Sequence, residues 1–334
     1  MSHARSRGFS LVEMMVAMTI GLILLGGALS VLYSSKVTYN ENERVARLQE
    51  SGRAAVELML RDMRVSGFKG CTANTTFRNA IGSTTLLWDF ANPLQGYEST
   101  GASTWSPTVP TTTIPSAKGG NDILAVRTSR IDSPTFTTNA SMATATSDVT
   151  VDKASTAVVA TGASLMISDC SAATVFTVSS FTDNSTTATI GTGAVDLGIP
   201  FPAGAKVVPV DTVIYYIRDS ATLRNGVRNP SLWRRVGNGT AQELIEGIQG
   251  MQVLYGVDSD GDRLVNSYVK ANSVTNWSRV ISVSIALLIR SIEPNSIMPD
   301  KRTYTLLDAS LGPFNDRYER ALYTTTVALR NNTQ

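Results

Sequence analysis

One stretch constrains this chain more than any other: GFSLVEMMVAMTIGLILLGGALSVLY, Gly8 to Tyr33, an apolar run whose single charge is Glu13. From Phe9 to Tyr33 there are 25 residues, about 37 Å of helix at roughly 1.5 Å per residue, enough to span a bilayer. Arg5 and Arg7 precede the run in a short polar leader, MSHARSRG. That bias holds the N-terminal end in the cytoplasm and exports the rest. A signal peptide would be cut behind the run at a small-x-small site, and LSVLYSSKV carries only a weak one near Ser34 and Ser35. A carboxylate inside a membrane helix is costly, so Glu13 needs a reason. The positive end of the helix dipole supplies well under about 1 kcal/mol at an exposed position.

Composition matters mainly for what it excludes. The chain has 334 residues, 43% hydrophobic and 17% charged, with a net charge of +2, so it can hold one or two domains with a real core and has no general pull toward nucleic acid. Its only histidine is His3, and its only cysteines are Cys71 and Cys170. Ser-His-Asp and Cys-His catalysis, and histidine or four-cysteine zinc sites, therefore lack their residues. There is no P-loop pattern, and Gly191-Thr-Gly193 and Gly237-Asn-Gly239 both lack the third glycine of a dinucleotide fingerprint. Common enzyme chemistry is therefore not expected. No basic and aromatic stripe suits a nucleic-acid groove, so no nucleic-acid partner is expected.

Behind the apolar run the chain turns polar, but Val45, Leu48, Gly52, Ala55, Met59 and Met63 recur at spacings of three and four, with Val56 and Leu60 widening the stripe. This predicts an amphipathic continuation of the membrane helix. Arg44, Arg47, Arg53, Arg61 and Arg64 interleave with Glu43, Glu50, Glu57 and Asp62, which reads as a solvated face. Ser66-Gly67 ends a helix of about 55 residues, whose soft point is Gly26-Gly27.

Beyond Cys71 the composition shifts to Thr, Ser, Ala, Gly and β-branched residues, with an irregular Thr/Pro loop over 99–120. Strands are predicted at 121–130, 174–181, 211–218, 232–236, 251–257, 279–291 and 322–329. In the sixth, Ile281, Val283, Ile285, Leu287 and Ile289 alternate with Ser282 and Ser284, which suits a sheet packed on one face only. A capping box at Thr240/Glu243 predicts a short helix in TAQELIEGIQ. The fold class is α+β: a long N-terminal helix on an antiparallel sheet domain.

RGFSLVE resembles the processing site of type IV prepilins. RLQESGRAAVELMLRDMRVSGFKGC, LIEGIQGMQVLYGVDSDGDRLVNSYV, VISVSIALLIRS and YTTTVALRNN resemble the PilW-type minor pilins of type IV pili. The resemblance implies cleavage after Gly8 by a prepilin peptidase, methylation of the new amine on Phe9, and an assembly role for Glu13. A cationic amine on Phe9, one helical turn from Glu13, lets two groups that are each costly in lipid neutralise one another; in a filament the partner can be a neighbouring subunit's amine. The expected divisions are a leader over 1–8, a transmembrane half over 9–33, an amphipathic half over 34–70, and an exported β-rich domain over 71–334 with a Thr/Ser-rich insertion at about 99–200. The implied partners are other minor pilins, the major pilin, the peptidase and the inner membrane. The implied role is priming of filament assembly, supporting twitching motility and attachment, with final location in the pilus. The resemblance also implies a protein that is not an enzyme. A type II secretion pseudopilin and a tip adhesin share the same plan.

Two features stand apart. Cys71 and Cys170 both lie on the exported side, where an even count favours a disulfide; two separately buried thiols are the alternative. Asp258, Asp260 and Asp262 in DSDGDRLVN resemble the first half of an EF-hand calcium loop. Arg263 then replaces the usual glycine and Val269 the bidentate glutamate, and an Asp/Gly hairpin turn is the simpler reading. The expected cofactors are none apart from a candidate calcium ion at this loop.

Overall fold

The computed structural model describes residues 10–332, except 71–75, 84, 131–134, 153–158 and 295–297. Two compact units divide the chain, residues 1–50 and residues 51–334.

A single helix, Leu11–Arg64, runs for 54 residues. In the first unit every residue from Ser10 to Lys36 is exposed, and this apolar stretch is long enough to cross a membrane. The helix passes through Gly26 and Gly27 without a break, and a Cβ added at either would meet nothing within 4 Å.

The second unit opens with the last part of the helix. Gly52, Ala55, Met59 and Met63 are buried as the periodicity predicts, whereas Val45, in the first unit, is 39% exposed. The stop falls where expected. Ser66 N–H donates to Met63 O at 3.1 Å, and Gly67 takes φ +68°, the left-handed conformation that glycine adopts without steric cost.

A four-stranded antiparallel sheet runs in the order Ser267–Val269, Ile248–Val257, Val280–Arg290, Arg320–Ala328. Helix and sheet meet at Gly52, where an added Cβ would clash with the Tyr323 ring and Ile289 Cδ1. The opposite face of Val280–Arg290 is covered too. Ala286 and Leu288 form a cluster with Leu306, closed by Leu311 of the Tyr304–Leu306/Ala309–Leu311 hairpin and by Phe314 just beyond it. The expectation of a sheet packed on one face is therefore corrected: Ser282 and Ser284 are buried. Both are hydrogen-bonded, Ser282 Oγ donating to Val327 O at 3.2 Å and Thr326 Oγ1 to Ser284 Oγ at 3.1 Å. Small hydroxyls tolerate burial when paired, so the alternation marks two faces without saying which is wet.

The larger, ten-stranded sheet has a main path of Thr76–Asn79, Ala172–Thr177, Ser164–Ser168, Lys206–Asp219, Ile123–Ser129, Leu94–Ser99 and Trp105–Ser106. Its 14-residue strand Lys206–Asp219 changes neighbours midway: residues up to Pro209 pair with Ser164–Ser168, and those from Val210 pair with Ile123–Ser129. Pro209, with no N–H to donate, sits at the changeover. Pairing is antiparallel except between Thr76–Asn79 and Ala172–Thr177.

The Thr/Ser-rich region builds structure of its own. Phe136, Val149, Val151, Leu165, Phe176 and Ile190 anchor a separate core, and the strands Val149–Asp152, Thr187–Gly191 and Ser180–Asn184 make a small antiparallel sheet. The Thr/Pro loop is irregular, as predicted, yet it drops Val109 and Ile114 onto the face of the larger sheet that carries Ile214, Tyr216 and Trp233. One prediction fails. TAQELIEGIQ holds no helix; Gln242–Glu246 is a strand paired with Pro230–Val236. Gly247 at φ +94° ends the segment after a handful of residues, too few to recover the cost of helix nucleation, while the neighbouring strand offers a ready ladder.

Candidate functional site

The N-terminal site starts at Ser10, because Gly8 and Phe9, the expected cleavage position, lie outside the described residues. Ser10 caps the helix: Val12 N–H donates to Ser10 Oγ at 3.2 Å, and Ser10 N–H donates to Glu13 Oε2 at 3.1 Å. Ser10-Leu-Val-Glu13 is thus a capping box. The sequence pattern S-x-x-E carried this signal beside the processing motif. One backbone donor is satisfied by the Ser10 hydroxyl and one by the Glu13 carboxylate, whose other oxygen takes no part in the cap. Glu13 is exposed, as is every residue around it.

At the other end of the helix lies a polar clamp. Tyr215 Oη donates to Asp62 Oδ2 at 2.6 Å, and Arg234 donates to the same oxygen through Nη2 at 2.9 Å and Nε at 3.2 Å. Tyr215 and Arg234 are direct cross-strand partners, so the ladder presents both groups side by side to the last helical turn. Burial, with the Asp62 charge beside it, holds the Tyr215 phenol well above its usual range. This corrects the reading of Asp62 as part of a solvated face: it is only 9% exposed. The i, i+4 pattern of charges could not reveal it, because its partners are more than 150 residues away. Beside the clamp is a cleft of about 370 Å³, lined by Arg61, Arg130, Asp211 and Arg234 among others. Arg130 Nε lies 2.6 Å from Asp211 Oδ2. The cleft offers no thiol or imidazole, and its two carboxylates already hold arginine partners.

The acidic loop joins the paired strands Ile248–Val257 and Ser267–Val269. One oxygen from each of Asp258, Asp260 and Asp262 lies within 4.8 Å of the others. The carboxylates organise the turn. Asp258 is buried and accepts from Gly261 N–H at 2.6 Å and Arg263 N–H at 3.1 Å, and Asp262 accepts from Leu264 N–H at 2.8 Å. Asp260 accepts from Asn266 Nδ2 at 3.1 Å. The Asp262 backbone N–H and Asn266 hold the Asp260 carboxyl below its usual range. Arg263, at the calcium-loop glycine position, itself adopts φ +68°. Three oxygen donors could face a cation, but loop N–H groups and Asn266 already satisfy them as a hairpin turn requires.

Cys170 lies in the turn between Ser164–Ser168 and Ala172–Thr177 at φ +75° and is not free. Its expected partner, Cys71, lies outside the described residues.

Comparison with known families converges on these two ends of the chain. Residues 3–29 match the family model described as the prokaryotic N-terminal methylation motif, and residues 214–331 match that of PilW, the type IV pilus-assembly protein W. No curated protein matches the chain. The first match contains Gly8, Phe9 and Glu13; the second takes in Tyr215, Arg234, the acidic loop and the whole four-stranded sheet. The two matches, one at the start of the membrane-length helix and one over the C-terminal sheet, are those of a type IV pilus PilW-like pilin with a prepilin-type processing site, and over these segments the chain is similar to such pilins.

Proposed function

We propose that the chain is a minor pilin. A prepilin peptidase cuts it between Gly8 and Phe9 and methylates the Phe9 amine. It waits in the inner membrane with its N-terminus in the cytoplasm and its β domain outside, then joins other minor pilins to prime a filament that supports twitching motility and attachment. It works as a structural subunit and catalyses nothing. The observation that carries this reading is Glu13 at a capped helix start, followed by an exposed apolar stretch long enough to cross a membrane. Capping uses one oxygen and one hydrogen bond of the carboxylate, leaving its charge for an amine cation; in lipid an unpaired charge of that kind is heavily penalised, so correct register is rewarded. A disulfide between Cys71 and Cys170 fastens the end of the helix to the Ser164–Thr177 hairpin and suits a subunit under tension.

The test is the N-terminal mass of the protein from membranes of cells with and without the peptidase. A chain beginning at methylated Phe9 only when the peptidase is present is the expected result. An intact leader in both samples, or a cut near Ser34, would overturn the reading.

A further inference from the structure

We infer that the free edge of the Arg320–Ala328 strand is a docking site for an extended, uncharged segment of another pilus subunit, added as a fifth strand to the C-terminal sheet. The identity of the partner rests on the pilin reading; the edge itself does not.

Hydrogen-bond parity identifies the atoms. Leu329 N–H donates to Ile281 O at 2.8 Å and Ser291 N–H to Glu319 O at 2.8 Å, while Arg290 N–H turns the other way, to Gly247 O. In an antiparallel ladder these roles alternate. With Ser282 opposite Ala328 and Arg290 opposite Arg320, the odd-numbered residues Ala321 to Val327 direct their N–H and C=O groups at Val280–Arg290. Leu322, Thr324, Thr326 and Ala328 therefore aim theirs outward. Among the described residues no strand pairs with that side. The side chains of these four residues are exposed, and three of them are small, so the backbone is accessible.

This edge lacks the devices that normally keep sheet edges apart. Native edges are short, charged, bulged or interrupted by proline. From Ala321 to Leu329 there is no charge and no proline, and the pairing with Val280–Arg290 has no register shift. The strand is nine residues long, whereas no other described edge strand exceeds five. The opposite edge of the same sheet is the three-residue strand Ser267–Val269, next to the aspartate-rich loop. A row of outward peptide groups repeating about every 6.8 Å is complementary to one thing, another extended backbone. A second copy pairing through this edge would form a closed two-fold dimer and consume the surface; a subunit that must join a growing assembly needs an unlike neighbour there.

The test uses the full chain in its own cells, with the photocrosslinking residue p-benzoylphenylalanine replacing Leu322. The expected product is an adduct with a different pilus subunit. It should fall at least tenfold in the Thr324→Lys/Ala328→Lys variant, which adds exposed charge, and in Thr324→Pro, which removes an outward N–H and fixes φ at that position. Thr182→Lys, an exposed charge on the separate three-stranded sheet, should leave the adduct intact. Leader cleavage and membrane levels should match wild type in every variant, which separates docking from misfolding. No adduct, an adduct with a second copy of this chain, or an adduct indifferent to the edge substitutions overturns the proposal. Failure of the pilin reading looks different: an uncleaved leader and no protein in sheared pili, with Leu322 still reporting on the edge in the membrane fraction.

Discussion

Replacing Tyr215 with Phe removes one hydroxyl from the clamp at the end of the helix and leaves the ring in place. The lost bond is short, 2.6 Å to Asp62 Oδ2, and charge-assisted. Hydrogen bonds to charged groups contribute about 1.5–3 kcal/mol. Arg234 still holds Asp62 through two N–H groups, so no buried charge is orphaned and the lower end, about 1.5 kcal/mol, is expected. Asp62→Ala goes further: it strands the Arg234 guanidinium, while the Tyr215 hydroxyl keeps Leu58 O as an acceptor at 3.3 Å. The Arg234 side chain is 29% exposed and regains water, which brings the cost below the ceiling for breaking a buried pair, to about 3 kcal/mol. The assay is urea unfolding of the detergent-solubilised chain, followed by tryptophan fluorescence; Trp233, adjacent to Arg234 and 6% exposed, reports locally. If Tyr215→Phe and Asp62→Ala each shift stability by less than about 0.5 kcal/mol, the clamp does not hold the helix and the reasoning fails. In the double variant the Tyr215→Phe cost should shrink, because only the longer bond to Leu58 O remains to be lost.

Gly52→Val should destabilise the chain by about 1–3 kcal/mol, because its Cβ meets the Tyr323 ring and Ile289; a thermal-melt midpoint equal to wild type would refute close helix–sheet approach there. Asp122 is buried, accepts from Ser99 N–H and Val253 N–H, and burial together with the Glu98 charge raises its carboxyl to about 7. An unfolded aspartate ionises near pH 3.9, so between roughly pH 4 and 7 the folded chain binds the extra proton and stability declines as pH rises, by no more than about 4 kcal/mol. Urea midpoints of wild type relative to Asp122→Asn should therefore fall from pH 5 to pH 8, and a constant difference would refute it. Protein recovered from cells should be inert to maleimide until reduced, and Cys170→Ala should cost up to about 4–5 kcal/mol by the loop-entropy estimate; free labelling of the unreduced chain would remove the disulfide.

Much was legible because it depends on local pattern. The helix, its capped start and its glycine stop follow from Ser10, Glu13, the apolar run and Gly67. Five of the seven predicted strands, including Val280–Arg290, closely match observed ones because β-branched runs bounded by turn residues have few other uses. The first half of the DSDGDRLVN loop likewise dictates its turn, with Asp258 bonding the N–H groups of Gly261 and Arg263.

What stayed hidden depends on partners far along the chain. Asp62 looks like any helical surface acid until the ladder sets Tyr215 against Arg234. Gln242–Glu246 chose a strand over its capping box because a neighbouring strand was within reach. Ser282 and Ser284 are buried among partners from other strands, Ser282 against the Tyr268 hydroxyl and Val327 O and Ser284 against Thr326, while a downstream hairpin covers Ala286 and Leu288 on the same face. The sequence by itself determined the elements, the membrane-length helix and the processing motif, since periodicity, caps and apolar length act over a few residues. Only the tertiary structure decided which polar groups meet, which faces are dry and which sheet edge is left unpaired, because burial and hydrogen-bond partnership are properties of packing between distant segments.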